Sequence, residues 1–317
     1  MKYRNLGLAG LKVSELGLGG WTTFGESLRD QAAVLGIIAA AYDGGINFFD
    51  MADAYARGEA ERVMGAALRQ FPRHTLVLAS KVFRPMSDDV NDRGLSRKHI
   101  MDAIDKSLAR IGTDHLDIYF CHRDDPQTPI EETVRAMDDL VRAGKVLYWG
   151  TSEWPVDKVR EATRMAGSAC HRPQVEQVQY NLLARERVET EVAPLVDEAG
   201  LGLTIFSPLA QGMLTGKYDD GVPHGSRLSR MSAPRDNWYR PDIVERVRRF
   251  KSVADNLGAT RGEVALAWLL GRPGISSVIT GAATSDQLAA NLKAAELALP
   301  AEALAAIDAI FPPAGAP

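Results

Sequence analysis

A closed (β/α)8 barrel, the TIM-barrel form of the α/β class, is the fold this sequence predicts, and three observations predict it. Short apolar runs alternate with longer stretches of helical period about eight times along the 317 residues, which is the pattern of a parallel sheet covered by helices. Three consecutive runs lead into Asp50, Lys81 and His122, as expected where strand ends converge on one mouth. No Gly-x-Gly-x-x-Gly follows the first strand and opens a helix, which disfavours a doubly wound open sheet, the next architecture in line.

Taken in order, residues 3–15, with Gly7, Gly10 and alternating apolar positions, predict an N-terminal β-hairpin placed to plug the barrel floor. Leu16, Gly17, Leu18 and Gly19 form the first barrel strand. Asp30 is the expected N-cap of a helix whose Val34, Ile37, Ile38 and Ala41 share one face, and Gly44-Gly45 supplies its stop. The strand 46–49 runs into Asp50, and the strand 76–79 runs into Lys81. Ser96 caps a helix that presents Ile100, Ala103, Ile104, Leu108 and Ile111 on one stripe, ended by Gly112. The strand 116–120 then leads to His122. Thr128, Pro129 and Glu131 read as a capping box ahead of Val134, Met137, Leu140 and Val141, closed by Gly144. Further strands are predicted at 146–149, 175–178, 203–206 and 277–279, separated by helices near 156–166, 188–199 and 243–257. After the seventh barrel strand, 215–240 is rich in Gly, Pro, Ser and Arg and predicts a long irregular lid or binding loop. No linker or low-complexity tract interrupts the series, so 1–317 is expected to be one domain.

The composition, 45% hydrophobic and 25% charged, supplies ample core. A net charge of -4 and a pI near 5.9 offer no basic field of the kind that drives nucleic-acid or anionic-membrane binding. Cys121 and Cys170 match no metal spacing and no disulfide framework, and are expected to be free structural thiols of a reducing compartment. The opening Met1-Lys2-Tyr3-Arg4-Asn5 has no signal-peptide apolar region, and no apolar run approaches the roughly 18 residues needed to span a bilayer. The expectation is a cytoplasmic protein whose partners are small molecules or protein, with no nucleic acid and no membrane.

In a barrel, Asp50, Lys81 and His122 become neighbours, and Tyr55 reaches them from the adjoining loop. A tyrosine ordinarily ionises near pH 10, and a nearby Lys81 would favour its ionised form, with Asp50 holding the lysine charged and oriented. His122 can hydrogen-bond a substrate carbonyl. This set suits carbonyl reduction, in which a hydride reaches carbon from a cofactor and Tyr55 delivers a proton to oxygen. Each residue alone has an ordinary structural use: Asp as a cap, Tyr as packing, Lys as a solvated group. Their joint placement on three consecutive strands is what points to a site.

The run from Gly45 to Tyr55 followed by Gly58, Glu59, Ala60 and Glu61 resembles the signature of aldo-keto reductases. The similarity extends over nearly the whole chain, through Tyr3-Arg4-Asn5-Leu6-Gly7, His122-Arg123-Asp124-Asp125-Pro126, Tyr148-Trp149-Gly150-Thr151-Ser152 and Phe206-Ser207-Pro208-Leu209-Ala210. Thr133 to Met137 and Gly216-Lys217-Tyr218 are similar to the branch containing voltage-gated potassium-channel beta subunits and their bacterial relatives. The resemblance implies a (β/α)8 barrel using NADPH, with Tyr55 as general acid, Lys81 and Asp50 tuning it, and His122 orienting substrate. It also implies that Ser152 and Gln177, beside Asp50, hold the nicotinamide carboxamide, that Phe206 stacks on the ring, and that Trp21 lines the mouth. Ser207, Pro208, Leu209, Ala210 and Gly212 would cradle pyrophosphate, with Lys217 beyond them. Arg227 would meet the adenosine 2′-phosphate, and a bidentate guanidinium there favours NADPH over NADH. Gly281, Ala283, Gln287 and Asn291 sit where the last strand enters a helix, a setting that suits an anion.

The chain departs from the pattern at Met51, where Thr is common, at Glu153, where Asn or Arg is common, and at Ala290, where this branch places a Glu near the adenine. The channel subunits carry Asn at the His122 position, so histidine argues for turnover, and no channel-blocking N-terminal arm is expected. Two other readings compete with an aldehyde or ketone reductase. One is a regulatory subunit that binds NADPH and reports redox state to a partner. The other is a metal-dependent barrel hydrolase using Asp50, His122 and Asp124, which would want a His-x-His on the first strand where Leu18-Gly19-Gly20-Trp21 has none, so no metal is expected. Similar proteins occur as tetramers and as monomers, which leaves a homo-oligomer open.

Overall fold

The computed structural model describes residues 1–166 and 170–315. Two short strands, β1 (Tyr3–Asn5) and β2 (Lys12–Ser14), pair antiparallel as a hairpin. Eight parallel strands then close a barrel: β3 (Leu16–Gly19), β4 (Phe48–Asp50), β5 (Val77–Val82), β6 (Leu116–Cys121), β7 (Val146–Ser152), β8 (Val175–Gln179), β9 (Gly202–Phe206) and β10 (Ile275–Thr280), with β10 pairing back to β3. The helices around it are α1 (Gln31–Asp43), α2 (Glu59–Leu68), α3 (Arg97–Ile111), α4 (Ile130–Arg142), α5 (Val156–Ala166), α6 (Ala193–Ala199), α7 (Arg227–Arg230), α8 (Ser232–Trp238), α9 (Pro241–Asn256), α10 (Arg261–Leu270), α11 (Ser285–Lys293) and α12 (Ala301–Ile310).

The apolar interior divides in two, as alternation along buried strands requires. Phe48, Val77, Ala79, Ile118, Phe120, Val175 and Ile279 fill the barrel lumen, and Leu6, Ala9 and Val13 of the hairpin pack against them from below, so the hairpin does plug the floor. The larger layer lies between sheet and helices, where Val34, Ile37, Ile38 and Ala41 of α1 and Ile100, Ala103, Ile104, Leu108 and Ile111 of α3 are buried as their spacing predicts. Each buried Val, Leu or Ile among them contributes roughly 1.5–3 kcal/mol. At Gly19, a Cβ would stand 2.7 Å from Ile279 Cγ2, so β3 admits its neighbour's bulk only because it is glycine.

Several boundaries move from the sequence expectation, each for a local reason. The second barrel strand begins at Phe48 and takes in Asp50, because Asn47 is used elsewhere: its amide donates to Lys12 O and its Oδ1 accepts from Ser14 N, tying hairpin to barrel. Strand β5 runs on to Val82 and β7 to Ser152, so Lys81 and Ser152 lie within strands rather than after them. Asp30 and Ser96 cap α1 and α3 through Ala33 N and His99 N. The capping box expected at Thr128 does not form. The Thr128 hydroxyl donates to Asp125 Oδ2, and α4 starts after an uncapped Pro129. A capping box does open α10, where Thr260 and Glu263 bond each other's backbone N–H. The stretch 215–240 is not wholly irregular, since α7 and α8 lie in it. Helices α2, α10 and α12 were not among those expected from the spacing.

Candidate active site

Register brings the site together at the C-terminal end of the barrel. Gly19 pairs with Asp50, Asp50 with Ala79, Lys81 with Phe120 and Ser152 with Gln177, so side chains far apart in sequence project from adjacent strand ends. The Lys81 ammonium is fully buried and donates to Asp50 Oδ2 at 2.6 Å and to Met51 O at 2.7 Å. It stands 4.8 Å from the centroid of the Tyr55 ring. Tyr55 and His122 meet edge to face with centroids 5.9 Å apart. Asp50 Oδ1 also accepts from the Gln177 amide at 3.0 Å, which links the carboxylate to the next part of the cleft.

Burial decides the protonation states. Burial raises the Tyr55 phenol above its ordinary range; Lys81 opposes this and Asp50 adds to it, so the net direction is upward. Lys81 does favour the ionised tyrosine, as the sequence suggests, but burial outweighs it. Burial also works against the Lys81 charge, but Asp50 and then Tyr55 more than offset it and the amine is held above its ordinary value. His122 is pushed well below the usual imidazole range by burial, with Lys81, Arg123 and Arg84 acting in the same direction, so the ring is neutral at pH 7. Its Nδ1 is buried without a partner among the described residues.

A cleft of about 1220 Å³ opens beside these groups. Trp21, Asp50, Tyr55, His122, Ser152, Gln177 and Phe206 line it, as do Ser207, Pro208, Leu209, Gly212, Lys217, Arg227, Gly281, Ala283, Gln287 and Asn291. Two expected site residues are not on its wall: Lys81 lies behind Tyr55, and Ala210 is buried. The non-glycine residues with positive φ, namely Thr22, Ala56, Arg57, Glu153, Ser207, Ala210 and Gln211, all fall in loops that follow barrel strands at this mouth. Strain of this kind persists where the surroundings impose it, and it concentrates at functional sites.

The donor set fits a dinucleotide carrying a 2′-phosphate. The turn after β9 combines Ser207, Ala210, Gln211 and Gly212 at φ 51, 47, 59 and 93, a left-handed backbone that lines the cleft at Ser207, Gln211 and Gly212. A Cβ at Gly212 would stand 2.7 Å from Lys217 Nζ, so the glycine lets that cation approach. Arg227 is held by Gln211 Oε1 at 3.0 Å and lies 5.5 Å from the Trp21 ring centroid. Other groups have local partners in this structure. Ala210 N and Gly212 N donate to Ser207 O and Leu209 O, Gln287 Oε1 accepts from Ala283 N, and Asn291 donates to Gly281 O.

The departures also find positions. Met51 accepts from Lys81 through its backbone carbonyl, which a threonine would also offer, and its side chain is buried in the core. Glu153 is not on the cleft wall; its carboxylate accepts from Arg187 at 2.8 Å and from Gln179 N at 2.6 Å. Ala290 lines the cleft. Missed by the sequence reading were Arg84 and Arg123 on the cleft wall, and two buried carboxyls nearby. Burial raises Asp53 to about 8, with Glu61 adding to it, and burial likewise raises Glu176 to about 8. Among the described residues no group of three His, Cys, Asp or Glu could hold a metal ion, and no helix is long and apolar enough to cross a membrane.

Residues 15–311 match the family described as Aldo/keto reductase family. The chain is 44% identical to the Arabidopsis thaliana protein named "Probable voltage-gated potassium channel subunit beta", over 94% of this chain and 92% of the relative. It is 43% identical to the protein of that name from Oryza sativa subsp. japonica, with the same shares covered.

Proposed function

The chain belongs to the aldo/keto reductase family, and from that membership we propose that it is an NADPH-dependent oxidoreductase that reduces aldehydes or ketones to alcohols. The observation that carries this reading is the Tyr55 phenol, kept protonated by burial, between a charged Lys81–Asp50 pair and a neutral His122 at the wall of one cleft. Ser152, Gln177 and Phe206 would hold the nicotinamide, the turn after β9 with Lys217 the pyrophosphate, and Arg227 the 2′-phosphate. NADPH when bound supplies the hydride that reaches the carbonyl carbon, leaving NADP⁺. His122 orients the carbonyl by a hydrogen bond, and Tyr55 transfers its proton to the oxygen that gains the electron pair. The neighbouring ammonium stabilises the resulting phenolate until a solvent proton replaces the one lost. We place the protein in the cytoplasm, as one domain acting on a small carbonyl compound, alone or as a homo-oligomer.

Tyr55→Phe tests this reading. NADPH binding should survive while aldehyde-dependent NADPH oxidation falls by about 100- to 10,000-fold, since the proton donor goes and the pocket stays. Equal rates would sink the mechanism. The names of the plant relatives favour a second reading, an NADPH-binding subunit that regulates a channel-like partner with little turnover. Tight NADPH binding with no oxidation across a panel of reactive aldehydes would select it.

A further inference from the structure

The cleft wall beyond His122 carries two guanidinium groups that the carbonyl chemistry does not use. Val82 and Cys121 are paired in register at the ends of β5 and β6, and Arg84 and Arg123 each stand two residues past that pair. Both line the cleft with Tyr55 and His122. They lie close enough to repel: the Arg84 charge works against that of Arg123, and both act against a charge on His122.

Nothing in the described chain neutralises them. Arg123 is half-buried, yet its contacts are neutral, the carbonyl oxygen of His122 and Ser152 Oγ at 3.3 Å. Among the described residues Arg84 meets only the Phe83 ring, 5.9 Å away. The acids nearby are otherwise engaged. Asp50 holds Lys81 and Gln177, and Glu153 holds Arg187 while attracting Arg123 only from beyond ion-pair distance. Glu176, raised to about 8, is a neutral acid at pH 7. Asp124, next in sequence, makes no ion pair with either arginine among the described residues. Arg123 is partly desolvated with a second like charge beside it, an arrangement that an anion would relieve, and each guanidinium presents the fork that carboxylates and phosphates take.

We propose that Arg84 and Arg123 form an anion subsite beside the carbonyl position, and that the substrate is an aldehyde or ketone bearing a carboxylate or phosphate. This rests on the reductase reading and deepens it. The subsite binds the charged end, and the carbonyl is thereby presented to Tyr55 and His122.

The test compares substrates of like shape and different charge: 4-carboxybenzaldehyde against 4-methylbenzaldehyde, succinic semialdehyde against butanal, and glyceraldehyde 3-phosphate against glyceraldehyde. Wild type should favour the charged member by about 10- to 100-fold in kcat/KM, the size of a charge-assisted hydrogen-bonded contact. The first two pairs report carboxylate and the third phosphate. Arg84 is exposed, so Arg84→Gln should fold normally and lose most of the preference for the charged member of each pair. Arg123→Gln should reduce the charged-to-neutral ratio as well, whatever it does to both rates through Ser152. Equal kcat/KM within all three pairs in wild type, or a ratio untouched by both variants, would overturn the subsite while leaving the reductase reading intact. If no aldehyde is reduced, that reading fails, and calorimetric titration decides the subsite alone. Tighter binding of 4-carboxybenzyl alcohol than of 4-methylbenzyl alcohol, abolished by Arg84→Gln, would uphold it. Equal affinities would reject it.

Discussion

Replacing Asp53 by Asn should stabilise the protein, by an amount that grows with pH. Asp53 is fully buried beneath the Tyr55 loop, its Oδ1 accepts from Ala54 N at 2.6 Å, and its Oδ2 has no partner among the described residues. Burial first, and Glu61 second, raise its pKa from 3.8 to about 8. Below pH 4 the group is protonated whether folded or not and costs nothing. As pH rises from about 4 to about 8 the unfolded chain releases this proton and the native chain retains it, so stability is lost across that window. At pH 7 the difference is about three pH units at about 1.4 kcal/mol each, or on the order of 4 kcal/mol. An amide has no proton to retain, and its oxygen can keep the bond to Ala54 N. Urea unfolding of wild type and Asp53→Asn at pH 5, 6, 7 and 8 should show a gap widening by about 1.4 kcal/mol per unit up to pH 7, then levelling near pH 8. A gap constant over this range would refute the argument, because it would mean that Arg110 keeps Asp53 ionised in the native state.

Arg227→Ala should raise the Kd of NADPH by about 10- to 100-fold, the size of charge-assisted contacts to one phosphate, and change that of NADH much less. Equal losses in fluorescence titrations with the two cofactors would reject the 2′-phosphate contact. Thr260→Ala removes the cap of α10 and should cost about 1 kcal/mol in urea unfolding. An unchanged midpoint would show that the capping box contributes nothing there.

The barrel was legible because its strands are short, apolar and regularly spaced, and three of them lead into Asp50, Lys81 and His122. Helix α10 was not, since Glu263 to Leu270 are all buried and a helix covered on every side has no polar stripe to betray its period. Nor were α7 and α8, whose surroundings of Gly, Pro and Ser carry the composition of a loop. At the site, residue types and strand ends were readable, while Arg84 and Arg123 were not, because their pairing depends on which residues of β5 and β6 stand opposite. That is a property of register, and periodicity alone does not supply it. The Thr128 expectation failed for a local reason: Thr128 closes a turn onto Asp125 three residues earlier, through both its N–H and its hydroxyl, and the helix begins only after Pro129.

Tyr55 shows most clearly what sequence could not decide. The presence of a lysine beside a tyrosine suggests a lowered phenol pKa, but the same enclosure that brings Lys81 to 4.8 Å also strips both groups of water and supplies Asp50. Asp50 thus works against the ammonium's field on the phenol, and burial prevails. For a general acid this balance is favourable. A phenol held above its ordinary pKa keeps its proton through the resting state and gives it up only when a carbonyl oxygen becomes strongly basic on receiving hydride. The Lys81–Asp50 pair then has its effect, as the new phenolate faces a cation that is already oriented and need not reorganise. In the proposed reaction Lys81 therefore acts chiefly after proton transfer begins, and Asp50 acts by keeping that lysine charged in an environment that would otherwise neutralise it.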